Sequence, residues 1–262
     1  MTPIEVTLLA VVQGLTEFLP VSSSGHLVII EEWLKLPGSR LTLNVALHFG
    51  TLLAVLVVYH RRIAGLLSEH RRLVGPLIVG TLPAAIVGLG VKRYAPAALD
   101  HALLAGAMLI ATGALLLWSS RRSPGKLDYP DITYRQALLI GLFQALAILP
   151  GLSRSGSTIV AGMAVGLRRD AAATFSFLLA IPVISGACVL EFFQPRTSAD
   201  DFPPPIMLGL GVAVAFVVGL ASLWWLLAWL GRGKLHYFAW WCIPLGAAVC
   251  LSQLWEFAFG GS

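Results

Sequence analysis

Two stretches of this sequence are apolar enough to lie in a lipid bilayer, yet each is cut near its middle by a segment that cannot stay helical. Residues 4–36 are interrupted by Pro20-Val21-Ser22-Ser23-Ser24-Gly25, and residues 136–167 by Pro150-Gly151-Leu152-Ser153-Arg154-Ser155-Gly156. Proline removes a backbone donor and clashes with the preceding turn, so each stretch reads as helix, break, helix. Hydrocarbon offers no partner to the freed peptide groups. Irregular backbone at that depth must therefore be buried in protein or line a cavity. The first stretch opens with Thr2-Pro3-Ile4-Glu5, a capping-box spacing with proline at the first helical position, and a helix is predicted over 4–19 with Pro20 closing it.

Six uninterrupted apolar runs, near 43–60, 76–92, 101–119, 171–193, 205–230 and 237–258, are long enough to cross roughly 30 Å of hydrocarbon. Only 12% of the chain is charged, against about 25% in an ordinary soluble domain, so water is not its main solvent. The formal charge of +5 does not point to nucleic acid, because no basic stripe with interleaved aromatics accompanies it. Cys188, Cys242 and Cys250 fall in apolar runs without metal-ligand spacing and read as free buried thiols. The first apolar run has no basic leader and no small-residue cleavage site, so mature structure is expected there rather than a signal peptide.

Counting both broken stretches as re-entrant pairs places the loops near 61–75, 120–135, 167–170 and 231–236 on one face. That face then holds twelve of the 18 Lys+Arg residues. The positive-inside rule makes it cytoplasmic, with both termini outside. The sequence also repeats itself: Gln13 and Ser22-Ser23-Ser24-Gly25 recur 131 positions later as Gln144 and Ser153-Arg154-Ser155-Gly156, and Phe49-Gly50-Thr51-Leu52-Leu53-Ala54 echoes Phe175-Ser176-Phe177-Leu178-Leu179-Ala180. Three crossings after each broken pair turn the second copy upside down. The expected fold is an all-α polytopic membrane protein of two inverted repeats, 1–120 and 132–260, each a re-entrant helix pair plus three transmembrane helices. The breaks then meet near the midplane, with helix N-termini ready to bind an anion.

Gln13 and Glu17, four apart on one helix face, are candidates for a metal or proton-transfer site, or simply for a helix–helix hydrogen bond. An intramembrane carboxylate costs about 2.5 to 3.5 kcal/mol on insertion scales, which argues for a role for Glu17. Ser22, Ser23 and Ser24 cluster with His26 around a turn that starts a helix, where hydroxyls either cap it or act as nucleophiles beside a base. Arg154, inside a Ser-Arg-Ser-Gly break, suits bidentate binding of phosphate, with Ser153, Ser155, Ser157 and Thr158 as surrounding donors. Its plainer role is a salt bridge to Glu17 that locks the halves together. His48 is expected to pack or line the cavity, and the tryptophans, Trp241 among them, to form aromatic belts near crossing ends.

Gln13-Gly14-Leu15-Thr16-Glu17-Phe18-Leu19-Pro20-Val21-Ser22-Ser23-Ser24-Gly25-His26 and Pro150-Gly151-Leu152-Ser153-Arg154-Ser155-Gly156-Ser157-Thr158 resemble the two signature motifs of the undecaprenyl-diphosphate phosphatase family, also called bacitracin-resistance proteins. The likeness extends over essentially the whole chain. It implies a multi-pass enzyme of the bacterial plasma membrane that removes the terminal phosphate of undecaprenyl diphosphate, a polyprenyl lipid, and so recycles the carrier for cell-wall synthesis. It implies help from Mg²⁺ or Ca²⁺ at Glu17 and Gln13. Many relatives carry two glutamates four apart; here the first is Gln13, which coordinates only through its carbonyl. The expected assignment has Ser23 as nucleophile, His26 as its base, Glu17 holding the metal or orienting His26, and Arg154 clamping phosphate. Gln13, Ser22, Ser24, Ser153, Ser155 and Thr158 line the substrate site, which is expected to open outward. A metal-activated water is the competing attacker. A lipid flippase or secondary transporter without hydrolysis is the competing function, since inverted repeats with broken helices are also a transporter plan. Membrane lipids are the expected surroundings, and assembly is left open, a homodimer included.

Overall fold

The protein, seen in a computed structural model, is described over residues 1–34, 41–121, 125–193 and 204–259. Lys35, Arg40, Arg122 and Arg196 of the charge count, and residue 260 at the end of the second repeat, lie outside those residues. Among the described residues ten α-helices follow in order: α1 Pro3–Thr16, α2 Ser23–Trp33, α3 Leu41–Leu66, α4 Val74–Tyr94, α5 Ala102–Ser120, α6 Tyr134–Leu146, α7 Arg154–Ala164, α8 Arg169–Phe192, α9 Pro205–Gly231 and α10 Ala239–Phe259. Among the described residues the only extended pairing is an isolated bridge between Leu127 and Leu167. Six helices among the described residues, α3, α4, α5, α8, α9 and α10, are long and apolar enough to cross a membrane, and they coincide with the six apolar runs of the sequence.

The short helices explain the interruptions. Thr2 caps α1 through a complete capping box with Glu5, and Thr133 caps α6 through a complete one with Gln136, 131 positions on. Ser22 caps α2 by accepting from the Gly25 N–H, and Ser153 caps α7 by accepting from the Gly156 N–H, again 131 apart. Even the neighbouring hydroxyl pairs match, Ser22 with Ser24 at 3.3 Å and Ser153 with Ser155 at 3.2 Å. The two broken stretches are thus local copies in structure as well as in sequence.

One boundary differs from expectation. Helix α1 ends at Thr16 rather than 19, and Glu17 caps it while residues 17–21 form a tight turn. A residue before proline is pushed out of helical backbone, and the unwinding here spreads one turn back from Pro20. That turn inserts Phe18 into the core, fully buried and edge-on to Phe177 of α8 at 5.7 Å, which in turn leans on Tyr59 of α3 at 5.8 Å. Phe18 therefore anchors the turn that carries its neighbour Glu17. Of the cysteines only Cys242 is fully buried; Cys188 and Cys250 are half-buried, their Sγ atoms against the Val45 and Leu103 carbonyls of neighbouring helices, and all three are free.

The breaks touch through glycine. A methyl group on Gly25 would sit 2.7 Å from the Gly151 Cα, and one on Gly156 would sit 3.1 Å from the Pro20 Cβ. Gly151 also has φ +90°, and a methyl group there would run into the Ala105 carbonyl. Gly151→Ala is accordingly expected to lose about 3 kcal/mol or more, combining left-handed backbone strain with overpacking. Gly209→Ala, where a methyl group meets open space in α9, should leave stability level or raise it. Thermal unfolding of both variants in detergent checks the contrast, and equal melting points would refute the glycine contact.

Candidate active site

The polar centre is built on Glu17, which is buried with only 5% of its side chain exposed. Its Oε1 accepts from Nη2 of Arg154, the first residue of α7, in a salt bridge that joins one break to the other. Its Oε2 accepts from the Ser23 hydroxyl at 2.6 Å and from the Gln13 amide at 3.0 Å. The His48 Nε2 of α3 lies 3.5 Å from that same oxygen, while its Nδ1–H donates to the Asn44 carbonyl at 2.7 Å. A buried carboxylate is thus held by a guanidinium, a hydroxyl and an amide, with an imidazole alongside.

Four polar atoms in and beside this cluster have no hydrogen-bond partner among the described residues: Nη1 of Arg154, Oε1 of Gln13, Oδ1 of Asn44 and Oε1 of Gln144, all buried. Buried polar groups are ordinarily satisfied, so an unpaired donor on a guanidinium and unpaired amide carbonyls are groups with hydrogen-bonding capacity left for a ligand. Ser22, which starts this turn, sits at φ 68°, a left-handed conformation that non-glycine residues rarely adopt. The strain orients its Oγ as the α2 cap and turns Ser23 toward Glu17.

A cavity of about 400 Å³ opens above the cluster. Glu17, Ser22, Ser23, Ser24, Ser153 and Arg154 line its polar end, with His48, Asn44 and Gln144. Four expected site residues stand elsewhere. The Thr158 hydroxyl turns back to the Arg154 carbonyl at 2.8 Å and pairs with Ser176 at 2.5 Å. Ser155 is spent on Ser153 and the Leu19 carbonyl. Gln13 lies behind Glu17 and reaches the site only through it. The His26 Nδ1–H donates to the Ser22 carbonyl at 2.7 Å, and its Nε2 accepts from the Trp241 indole N–H at 2.9 Å. A carbonyl can only accept, so this pairing sets the tautomer, and neither ring nitrogen is left for Ser23. The sequence offered no sign that Trp241, placed near a crossing end, would close over His26.

A model of the family described as bacitracin resistance protein BacA matches residues 6–248 of the chain. The chain is 50% identical over 252 residues to a Rhodopirellula baltica protein named undecaprenyl-diphosphatase, covering 96% of this chain and 98% of that one. It is 43% identical to the undecaprenyl-diphosphatase of Desulfatibacillum aliphaticivorans, covering 95% and 98%, and 37% identical to undecaprenyl-diphosphatase 3 of Bacillus cereus, covering 95% and 97%.

Removing one partner of a buried ion pair leaves the other charge uncompensated. Glu17→Ala is expected to cost about 3 to 5 kcal/mol of stability. Adding Arg154→Ala in the same chain should recover part of that loss, because the stranded cation goes with it. Unfolding of the two single variants and the double variant in detergent measures the coupling, and strictly additive losses would mean that the pair is not a unit.

Proposed function

We propose, for a chain that belongs to the BacA family of bacitracin resistance proteins, that the cavity at Glu17 and Arg154 is where the terminal phosphate of undecaprenyl diphosphate is removed. The protein is a multi-pass membrane enzyme, an undecaprenyl-diphosphatase that splits its substrate into undecaprenyl phosphate and phosphate. The observation that carries the site assignment is the guanidinium of Arg154, a residue that lines the cavity: one amino group is on Glu17 and the other, buried, has no partner among the described residues. Planar paired donors suit a phosphate, and a low-dielectric site makes each contact stronger.

Ser23 is the nucleophile in this reading and Glu17, rather than His26, is the base, because the Ser23 O–H already points at Glu17 Oε2. The Ser23 oxygen bonds to the terminal phosphorus as its proton passes to Glu17, and the bond from that phosphorus to the bridging oxygen breaks. Glu17 hands the proton to the departing prenyl phosphate. It then takes one from the water that hydrolyses the phosphoserine and returns it to the Ser23 oxygen, leaving inorganic phosphate. Arg154 and the Ser153 cap at the α7 N-terminus offset the charge that grows on the phosphoryl oxygens. His26 positions the turn by tying Ser22 to Trp241.

The unpaired Gln13 carbonyl beside a carboxylate is an oxygen-donor set that fits a hard divalent cation, so Gln13 and Glu17 would hold Mg²⁺ or Ca²⁺. Such an ion would lower the negative charge of the diphosphate. The architecture belongs to the same proposal: both broken pairs are re-entrant, and the halves 1–120 and 132–260 are inverted about an axis in the membrane plane. In support, α1 packs on α9 as α6 packs on α4, so each half's first helix lies on the other half's second span. The outward opening is supported by Leu99 and Asp100, which border the cavity from the α4–α5 connection, on the face opposite the basic loops.

Phosphate release from undecaprenyl diphosphate by purified protein in detergent tests the assignment. Arg154→Ala should fall by about 10²- to 10³-fold, as expected for loss of one transition-state donor, and near-normal turnover there would sink the phosphate clamp. Ser23→Ala should also be close to inactive, with a phosphoserine trappable on the wild-type chain and absent from the variant. Gln13→Glu is expected to tighten Mg²⁺ or Ca²⁺ by about tenfold, because an added carboxylate raises the ligand charge. Calorimetry without substrate reads this directly, and unchanged affinity would remove Gln13 from the cation site.

A further inference from the structure

The cavity at Arg154 has two chemically different ends. Away from the ion pair its walls are apolar and small: Ala84 of α4, Ala147 and Ile148 before the second break, and Val183, Ile184 and Ala187 of α8. The polar side chain that joins them is Gln144, whose amide N–H donates to the Gly80 carbonyl of α4, and an arm with no cation and no hydroxyl of its own suits an apolar chain better than a phosphate. It is continuous with the polar end, which makes a single amphipathic ligand the economical occupant.

The arm lies where two spans part. Helices α4 and α8 are in tight contact at Gly80, where an added methyl group would sit 3.0 Å from Leu179. Beyond that contact each helix carries a proline, Pro83 and Pro182, immediately before a lining residue. Proline removes a backbone hydrogen bond and bends a helix away from its neighbour. One to two turns further on, a methyl group on Gly88 would reach only Ile148 at 3.6 Å, and one on Gly186 would meet nothing. Outward from this gap the surface is large and apolar, with Ile86 and Val189 more than half exposed. A surface of that kind faces lipid rather than water.

We propose that the gap between α4 and α8 is the lateral portal through which the isoprenoid tail of the substrate leaves the active-site cavity for the bilayer, and that Ala187 is a specificity-determining position that passes long tails. The inference rests on the phosphatase reading for the identity of the headgroup. A cavity of about 400 Å³ holds a diphosphate and the first few isoprene units, so a long tail must continue outside it. The small side chain at 187 leaves that path clear. A bulky one there would stand in the way of a long chain while a short chain ends before reaching it.

The test compares kcat/KM for undecaprenyl diphosphate and for farnesyl diphosphate in detergent. In Ala187→Trp the long-to-short ratio should fall by about tenfold, a typical penalty for steric mismatch in an apolar pocket. Leu254→Trp, on the exposed face of α10, serves as the control and should leave the ratio unchanged. An unchanged ratio in Ala187→Trp, or an equal fall in the control, overturns the portal. A second measurement needs no variant. The half-buried Cys188 lines the same arm, so its alkylation by a maleimide, followed by peptide mass mapping, should be slowed by undecaprenyl phosphate and not by inorganic phosphate. Equal alkylation rates with either ligand also overturn it. A wild-type protein that released phosphate from neither diphosphate would instead refute the enzymatic reading, leaving thiol protection to decide the path of the tail.

Discussion

A carboxylate and a guanidinium buried against each other in the middle of an apolar bundle organise this molecule. Either charge alone would cost several kcal/mol to hold there, so Glu17 and Arg154 depend on one another, and each depends on a break in its helix to reach the other. The pairing leaves the cluster deliberately incomplete. Glu17 is paired with Arg154, Ser23 and Gln13, yet one amino group of Arg154 and the carbonyl of Gln13 have no partner among the described residues. A salt bridge serving only to join the two breaks would have no use for an unpaired guanidinium donor, whereas a site for an anion does.

The approach of the two breaks rests on the absence of side chains. Gly25 lies on Gly151 and Gly156 lies on Pro20, so each break contributes a serine cap and a glycine to the seam, and each is pressed against the proline turn of its counterpart. Peptide groups freed by the prolines are satisfied within this seam, as in the Ser153 N–H donating to the Thr112 hydroxyl and the Thr112 hydroxyl donating to the Gly151 carbonyl. Local strain at Ser22 is tolerated because the surrounding bundle over-determines the turn, with Phe18 wedged on one side and His26 tied to Trp241 on the other.

From this seam the chemistry and the substrate's two-part character follow together. The polar end of the cavity gathers hydroxyls, a helix N-terminus and a guanidinium, and the apolar end is lined by two proline-bearing spans. A water-soluble diphosphate would use only the first half of such a cavity, and a neutral lipid only the second. An anionic lipid uses both.

Much of the fold was legible because membranes restrict what a sequence can do. The six spans, the two breaks, the capping box at Thr2 and the 131-residue repeat all follow from hydropathy, proline and hydrogen-bond requirements that act locally along the chain. So did the placement of Glu17, Ser23 and Arg154 inside the protein rather than against lipid, since polar groups in apolar stretches are too costly to leave unpaired. What sequence alone could not decide was which hydroxyls and ring nitrogens face the cavity. Ser155 and Thr158 sit in the right motif but are consumed by Leu19 and Ser176, and His26 is consumed by Trp241, a residue 215 positions away. Conversely, His48 reaches Glu17 from a span of its own. Spacing along a chain tells which residues share a helix face; hydrogen bonds are made or denied by the partner across the gap, and that partner is chosen only when the helices pack.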